Sequence, residues 1–435
     1  MSLSVDIKKK FPNFTLDMHF SLSGRRVGIL GASGCGKSMT LRSIAGIFQP
    51  DEGRIALGDR VLYDSARRID LKPQVRNIGY LFQNYALFPN MTVRENIMAG
   101  LSGSKNAKMA RANEMIAKFG LNSLEDRLPR QLSGGQQQRC ALARIMAYRP
   151  DVILLDEPFS ALDWYLRDRM QRELSDMLRD YEGMVIMVSH DRDEIFRFSE
   201  ELLIVDAGHV IRQGATREVF SNPGTRSAAV LTGCKNFSRA ERIDDHHVRA
   251  TDWGITVETE RVLPEGIRNL GFRAHQFKPV YMRGEETSCG EESSAGRTQG
   301  AMISAVGQEA LASRTQGAMI SAVSQEASAS RTQRAMISAV SEESSASRTQ
   351  GAMISAVSQA ASASHQDKLK NAVRCNVVSQ AELQFERNYY IDPESSDGDG
   401  SLITWLVQRE LWPMLDAKGL PDYLVMPEED FLFLT

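Results

Sequence analysis

The chain of 435 residues has room for about two to four domains. Lys plus Arg (52) nearly balances Asp plus Glu (55), a net charge of −3, so no basic field argues for nucleic acid as a partner. With 42% hydrophobic and 25% charged residues, collagen, coiled coil and wholesale disorder are excluded, and no apolar run reaches the ~18–20 residues that cross a bilayer.

In chain order, the first ten residues end in Lys8, Lys9 and Lys10 with no apolar stretch behind them, unlike a secretory leader. Short runs that are apolar throughout occupy 27–30, 152–155, 184–188 and 202–205. Strands buried on both faces of a parallel sheet read this way. Helical stretches lie between them, so residues 1–232 are expected to form an α/β domain with right-handed crossovers. The five cysteines, Cys35, Cys140, Cys234, Cys289 and Cys375, are scattered and never spaced as CxxC, which reads as reduced thiols.

Residues Gly31, Ala32, Ser33, Gly34, Cys35, Gly36, Lys37 and Ser38 fit the pattern G-x-x-x-x-G-K-[ST]. They follow the first apolar run and precede a helix-compatible stretch at 39–47. The glycines let successive backbone N–H groups turn toward a phosphate, and the helix start adds partial positive charge. Lys37 suits the β- and γ-phosphates, and the Ser38 hydroxyl suits Mg²⁺. The apolar run at 152–155 ends in Asp156 and Glu157. The first is placed to hold Mg²⁺ through water, the second to activate an attacking water. Leu132-Ser133-Gly134-Gly135-Gln136 precedes a helical run at 140–148 and offers a second anion-binding helix start. Two such starts suggest a nucleotide shared between two subunits; an ordinary N-cap turn at 132–136 is the alternative.

Residues 235–283 and 371–435 read as two pieces of one small β-rich domain, with half-buried alternation at 255–259 and 373–378. Between them Arg-Thr-Gln recurs at Arg297, Arg314, Arg331 and Arg348, a 17-residue period spanning 296–364. Each unit is rich in Ser, Ala and Gln and holds one small Met-Ile-Ala-Val cluster, too little apolar surface to offset the ordering entropy. The expectation is a disordered, low-complexity insert within a loop, where closure entropy grows slowly with length. Four short amphipathic helices are the alternative.

The phosphate loop, LSGGQ at 132–136, LLDEP at 154–158, Ser160-Ala161-Leu162-Asp163 and Ser189-His190-Asp191 occur in the order seen in ABC-transporter ATP-binding subunits. Over residues 1–232 the chain resembles that family. The resemblance implies a P-loop ABC ATPase domain with a helical subdomain, using ATP and Mg²⁺. It implies that Gly31 to Ser38 and Met39 bind the phosphates, and that Gln83 is the Q-loop glutamine that touches Mg²⁺ and water. Ser133, Gly135 and Gln136 are then expected to meet the γ-phosphate held by the opposite copy. Asp163 is expected at the dimer seam and His190 on the γ-phosphate. Glu157, His190 and Gln83 make up the expected catalytic set, and Ser38, Gln83 and Asp156 the expected metal set. Most members stack an N-terminal aromatic residue on adenine, and Phe11 and Phe14 are the candidates here.

Residues 84–89 and 91–97 resemble the Q-loop region of importer ATPases, and the segment after 232 is similar to the small β-rich, OB-like accessory domain of molybdate, sulfate, iron and sugar importer ATPases, with 271–275 as a recurrent stretch. This implies a homodimer, two integral-membrane permease subunits, indirect work with a solute-binding protein, no nucleic acid, and a peripheral place on the cytoplasmic face of the membrane. The implied cargo is molybdate or a related oxyanion; sulfate, ferric ion or another solute is the alternative. A soluble non-transport ABC ATPase and an inactive regulatory subunit are the remaining readings.

Overall fold

The computed structural model describes residues 2–160, 164–282, 369–383, 385–393 and 401–435. The 17-residue repeats at 296–364, Asp163 and Cys289 lie outside the described residues. Residues 1–281 and 370–435 form one compact unit.

The chain starts in a hairpin of β1 (Leu3–Phe11) and β2 (Phe14–Leu22). In its register Leu3 faces Leu22, Val5 faces Phe20 and Ile7 faces Met18, so over these three pairs one face is apolar and buried. Next, β3 (Arg26–Gly31) runs into α1 (Lys37–Ala45). The chain then returns to the hairpin through β4 (Glu52–Leu57), β5 (Arg60–Asp64) and β6 (Ile69–Asp70), giving an antiparallel sheet of order β2-β1-β4-β5-β6.

A second sheet is built from alternating strands and helices. They are α2 (Pro73–Arg76), β7 (Ile78–Leu81), α3 (Val93–Met98), α4 (Lys105–Lys118), α5 (Gly134–Ala147), β8 (Val152–Asp156), α6 (Trp164–Leu178), β9 (Met184–Ser189), α7 (Arg192–Phe198), β10 (Glu201–Asp206), β11 (His209–Ala215), α8 (Thr216–Ser221) and α9 (Arg226–Leu231). The order is β11-β10-β3-β9-β8-β7. All neighbours pair in parallel except β11, which runs antiparallel to β10. Val152 and Leu154 face the layer shared with the first sheet, while Ile153 and Leu155 face the helices. Burial on both sides is why these strands are apolar without alternation.

The helix starts carry their own signals. Thr92 and Glu95 form a capping box ahead of α3, Ser104 caps α4, Ser133 caps α5 and Asp191 caps α7. The stretch expected to be helical over 39–47 begins earlier, at Lys37, and stops at Gly46, whose left-handed φ of 78° ends it. Arg76 closes that end from the side. Buried to 1% exposure, it donates to Ser43 O and Ile44 O, each at 2.8 Å, and pairs with Asp70.

The C-terminal region is β-rich, as expected. Its strands are β12 (Asn236–Arg242), β13 (His247–Ala250), β14 (Ile255–Glu258), β15 (Asn269–Phe272), β16 (Lys278–Val280), β17 (Ala372–Arg374), β18 (Val377–Glu382), β19 (Glu386–Ile391) and β20 (Ile403–Gln408), followed by α10 (Trp412–Lys418), β21 (Tyr423–Val425) and β22 (Leu432–Leu434). They make three sheets, β14-β13-β12-β15-β22, β16-β21-β17 and β18-β19-β20, around a core that includes Trp253, Phe272, Trp405 and Leu424. Strands from before and after residues 283–368 pair with each other, β15 with β22 and β16 with β21. One expectation needs correcting. Residues 373–378 are not a single strand: β17 ends at Arg374, the Asn376 N–H donates to Arg374 O at 3.0 Å, and the chain turns into a different sheet at Val377. Arg273 ties this region to the first part of the chain, donating to Thr232 O at 2.7 Å and to Phe220 O. Among the described residues no helix is long and apolar enough to cross a membrane.

Candidate active site

The site forms where β3, β8 and β9 end side by side. The loop after β3 needs glycine at two points. A Cβ on Gly31 would meet Val205 O at 2.3 Å and Cys35 Sγ at 2.6 Å. Gly36 has φ 104°, and its Cβ would meet Leu16 Cδ1 at 2.4 Å. Ala32, Ser33 and Gly34 form the exposed rim, while Cys35, Gly36 and Lys37 are buried. Lys37 Nζ donates to Gly31 O at 2.8 Å and to Ala32 O at 2.7 Å, so its charge sits inside the loop. Burial pushes the Cys35 thiol up, although Lys37 beside it pulls the other way. A protonated, buried thiol is a loop filler, not a nucleophile.

Asp156, at the tip of β8, is 3% exposed and well partnered. Ser38 Oγ donates to its Oδ1 at 2.6 Å, Tyr80 Oη donates to its Oδ2 at 2.7 Å, and Arg42 Nη2 lies 3.9 Å from the same oxygen. Burial, and the Asp156 carboxylate beside it, hold the Tyr80 phenol protonated well above the ordinary range. A hydroxyl and a carboxylate meeting at the mouth of a glycine loop are hard oxygen donors of the kind that Mg²⁺ takes together with water and phosphate. The residues present therefore fit such a cation.

Glu157 follows with φ 46°, a left-handed conformation that a non-glycine residue adopts only under constraint. Its N–H donates to Val188 O at 3.1 Å. Ser160 Oγ donates to Glu157 O at 2.9 Å and accepts from Gln83 Nε2 at 3.0 Å. Gln83 thus reaches the Glu157 turn through Ser160. His190 Nδ1 lies 3.4 Å from Glu157 Oε1. The turn that carries His190 is pinned on both sides. Ser189 Oγ accepts from Asp191 N at 2.9 Å and donates to Glu194 Oε2 at 2.6 Å, and Asp191 Oδ1 caps α7. Burial raises the Glu194 carboxyl above its ordinary 4.5, and the Ser189 hydrogen bond opposes this.

The structure brings together Lys37, Ser38, Asp156, Glu157, His190 and Gln83. Ser133, Gly135 and Gln136 stand apart at the start of α5, where the side chains of Ser133 and Gln136 bond to each other's backbone. Gln136 N donates to Ser133 Oγ at 3.4 Å, and Ser133 N donates to Gln136 Oε1 at 2.9 Å. Met39 packs partly buried against the core behind the loop. Of the aromatic candidates, Phe14 packs partly buried against that core and lies against Gly36 and Gly208. Phe11 stacks on Phe48, with ring centroids 6.2 Å apart. Phe48 was not among the sequence candidates. Tyr80, Ser160 and Glu194 also went unassigned by sequence reasoning. Tyr80 lies 76 residues from its partner, a separation that no local pattern encodes.

A family model described as ABC transporter matches residues 15–160. The Fe(3+) ions import ATP-binding protein FbpC 2 of Haemophilus influenzae is 37% identical over 265 residues, covering 60% of this chain and 74% of that protein. The chain belongs to the ATP-binding subunits of ABC transporters. The sulfate/thiosulfate import ATP-binding protein CysA 2 of Chromobacterium violaceum is 41% identical over 59% of this chain and 69% of that protein. The putrescine transport ATP-binding protein PotG of Escherichia coli is 43% identical over 49% and 56%. Among solved structures, a dimeric bacterial ABC transporter cassette matches 50% of this chain and 99% of its own, at 28% identity and a TM-score of 0.43. As an ABC subunit of the import type, the chain binds and hydrolyses ATP, which agrees with the fold and the enzyme class expected from its motifs.

Proposed function

We propose that this ABC subunit powers uptake of a small solute by working as a homodimer beneath two membrane-embedded permease subunits, on the cytoplasmic side, with an external solute-binding protein delivering the cargo. Residues 1–232 are the motor in this reading, and 235–283 with 371–435 form the accessory domain. For the cargo, the resemblance noted in the sequence favours molybdate or a related oxyanion, while the names of two relatives support ferric ion or sulfate. Uptake of labelled molybdate, sulfate and iron by cells with and without the chain separates them: the cargo whose uptake falls is the one it drives.

The observation that carries the chemistry is Glu157, held in a left-handed turn beside the phosphate loop with His190 3.4 Å from its carboxylate. A bound Mg²⁺ would neutralise charge on the triphosphate, held by Ser38, by Gln83 and, through water, by Asp156. Lys37 leaves its loop carbonyls to pair with phosphate oxygens. Glu157 accepts the proton of the attacking water as base, and His190 holds both the carboxylate and the γ-phosphate oxygens in place. Ser133, Gly135 and the start of α5 are offered to the nucleotide of the other copy, and Asp163 to the seam. Glu157→Gln in the purified chain is expected to keep ATP binding, to lower turnover by about 10²–10³-fold, and to trap an ATP-dependent dimer visible by light scattering. Turnover within about tenfold of the unaltered chain would remove Glu157 as the base.

A further inference from the structure

Directly after Gln83 the backbone does something that costs energy. Tyr85 and Ala86 have φ of 61° and 42°, two consecutive non-glycine residues in the left-handed region. Such strain persists only where the surroundings over-determine it. What surrounds this turn is Arg144. From the last turn of α5 its Nη1 donates to Ala86 O at 2.8 Å and its Nη2 donates to Tyr85 O at 3.0 Å. The same guanidinium lies over the exposed ring of Phe88, 5.4 Å from the centroid. Burial pulls the Arg144 guanidinium below its ordinary value. Among the described residues the hydrogen bonds of this half-buried cation go to those two strained carbonyls. The Tyr85 ring, 5% exposed, anchors the other side of the turn in the core.

We propose that Arg144 is a positioning residue that clamps the left-handed turn after Gln83, so that Gln83 stays on Ser160 and the Glu157 turn. The clamp sits on the helix whose opposite end is the Ser133 signature. One rigid rod of 14 residues, about 20 Å long, therefore joins the signature to the Gln83 loop. This rests on the reading of Gln83 as a residue of the hydrolytic site. A lysine at 144 keeps the charge but offers no planar fork to bridge two carbonyls.

The test uses the full purified chain with saturating MgATP. Arg144→Lys is expected to lower kcat on the order of tenfold while KM for ATP stays within about twofold. Ala86→Gly lets the turn hold its positive φ without the clamp. Adding it to Arg144→Lys should bring kcat back to within about threefold of the unaltered chain. A rescue of that kind is not expected of a residue that merely supports the fold. Should Arg144→Lys melt below the assay temperature, Arg144→Gln, which keeps one donor, is read in the same way. No fall in kcat, or a fall that Ala86→Gly leaves in place, overturns the clamp. In a Gln83→Ala background Arg144→Lys should cost nothing more, and a further multiplicative loss also overturns it, because Arg144 would then act elsewhere. Unchanged turnover in Gln83→Ala alone instead removes Gln83 from the hydrolytic site, and the Ala86→Gly rescue still decides whether the clamp holds the turn.

Discussion

Tyr80→Phe removes a single oxygen from the middle of the molecule. The ring stays where it is, against Phe82 with centroids 4.5 Å apart, so no cavity opens. What disappears is the 2.7 Å hydrogen bond to Asp156 Oδ2, leaving that oxygen with Arg42 at 3.9 Å. Asp156 is 3% exposed, so water does not readily replace the lost donor. A buried hydrogen bond to a charged group is worth about 1.5–3 kcal/mol, and we take about 2 kcal/mol here. For a unit of this size that lowers Tm by about 3 °C. The assay is thermal unfolding of the nucleotide-free protein followed by near-ultraviolet circular dichroism. Tyr63→Phe is the internal control: Tyr63 Oη donates at 2.9 Å to Pro50 O, an uncharged acceptor, and its loss should cost about half as much. If Tyr63→Phe destabilises as much as Tyr80→Phe or more, the charged acceptor is not the source of the effect and the reasoning fails.

Glu194→Gln tests the buried carboxyl behind His190. Its raised folded value means that the native state holds the proton longer than the unfolded chain does, so this carboxyl lowers stability as pH climbs above the ordinary 4.5. Glutamine, whose carbonyl still accepts from Ser189, should raise Tm at pH 8, and the gain should shrink toward pH 4.5; a gain that grows on acidification would contradict this. Asn96 is fully buried, accepts from Phe88 N at 2.9 Å and donates to Phe88 O, Met91 O and Thr92 O. Asn96→Ala should therefore cost about 2–4 kcal/mol and speed hydrogen exchange at residues 88–92, and unchanged exchange there would count against a pinning role.

The parallel sheet is legible because β3, β8, β9 and β10 bury both faces and so carry unbroken apolar runs. The antiparallel sheet has an equally plain signal, Leu3, Val5, Ile7 and then Leu16, Met18, Phe20, Leu22 at period two, but it is overlooked when the whole region is read as strand-helix alternation. The break at Cys375 and Asn376 is harder to see, because alternation continues across it while the pairing partner changes. At the site, the residues that lie next to one another in the chain declare themselves: a glycine loop, a strand ending in two carboxylates, a histidine after a strand. The supports do not. Tyr80 and Arg144 meet their partners across 76 and 58 residues, and nothing in hydropathy distinguishes a tyrosine that packs from one whose hydroxyl holds a carboxylate. Gln136 shows the converse, since in the single chain its side chain is spent on a capping box that the spacing Ser-x-x-Gln already announces.

The pairing of β15 with β22 has a bearing on how the protein is made. Residues 269–272 emerge from the ribosome long before 432–434, yet they sit side by side in one sheet. The edge of β15 that takes β22 therefore stays open while more than a hundred further residues are translated. During that interval the exposed ladder is a place for chaperones to hold or for neighbouring nascent chains to join.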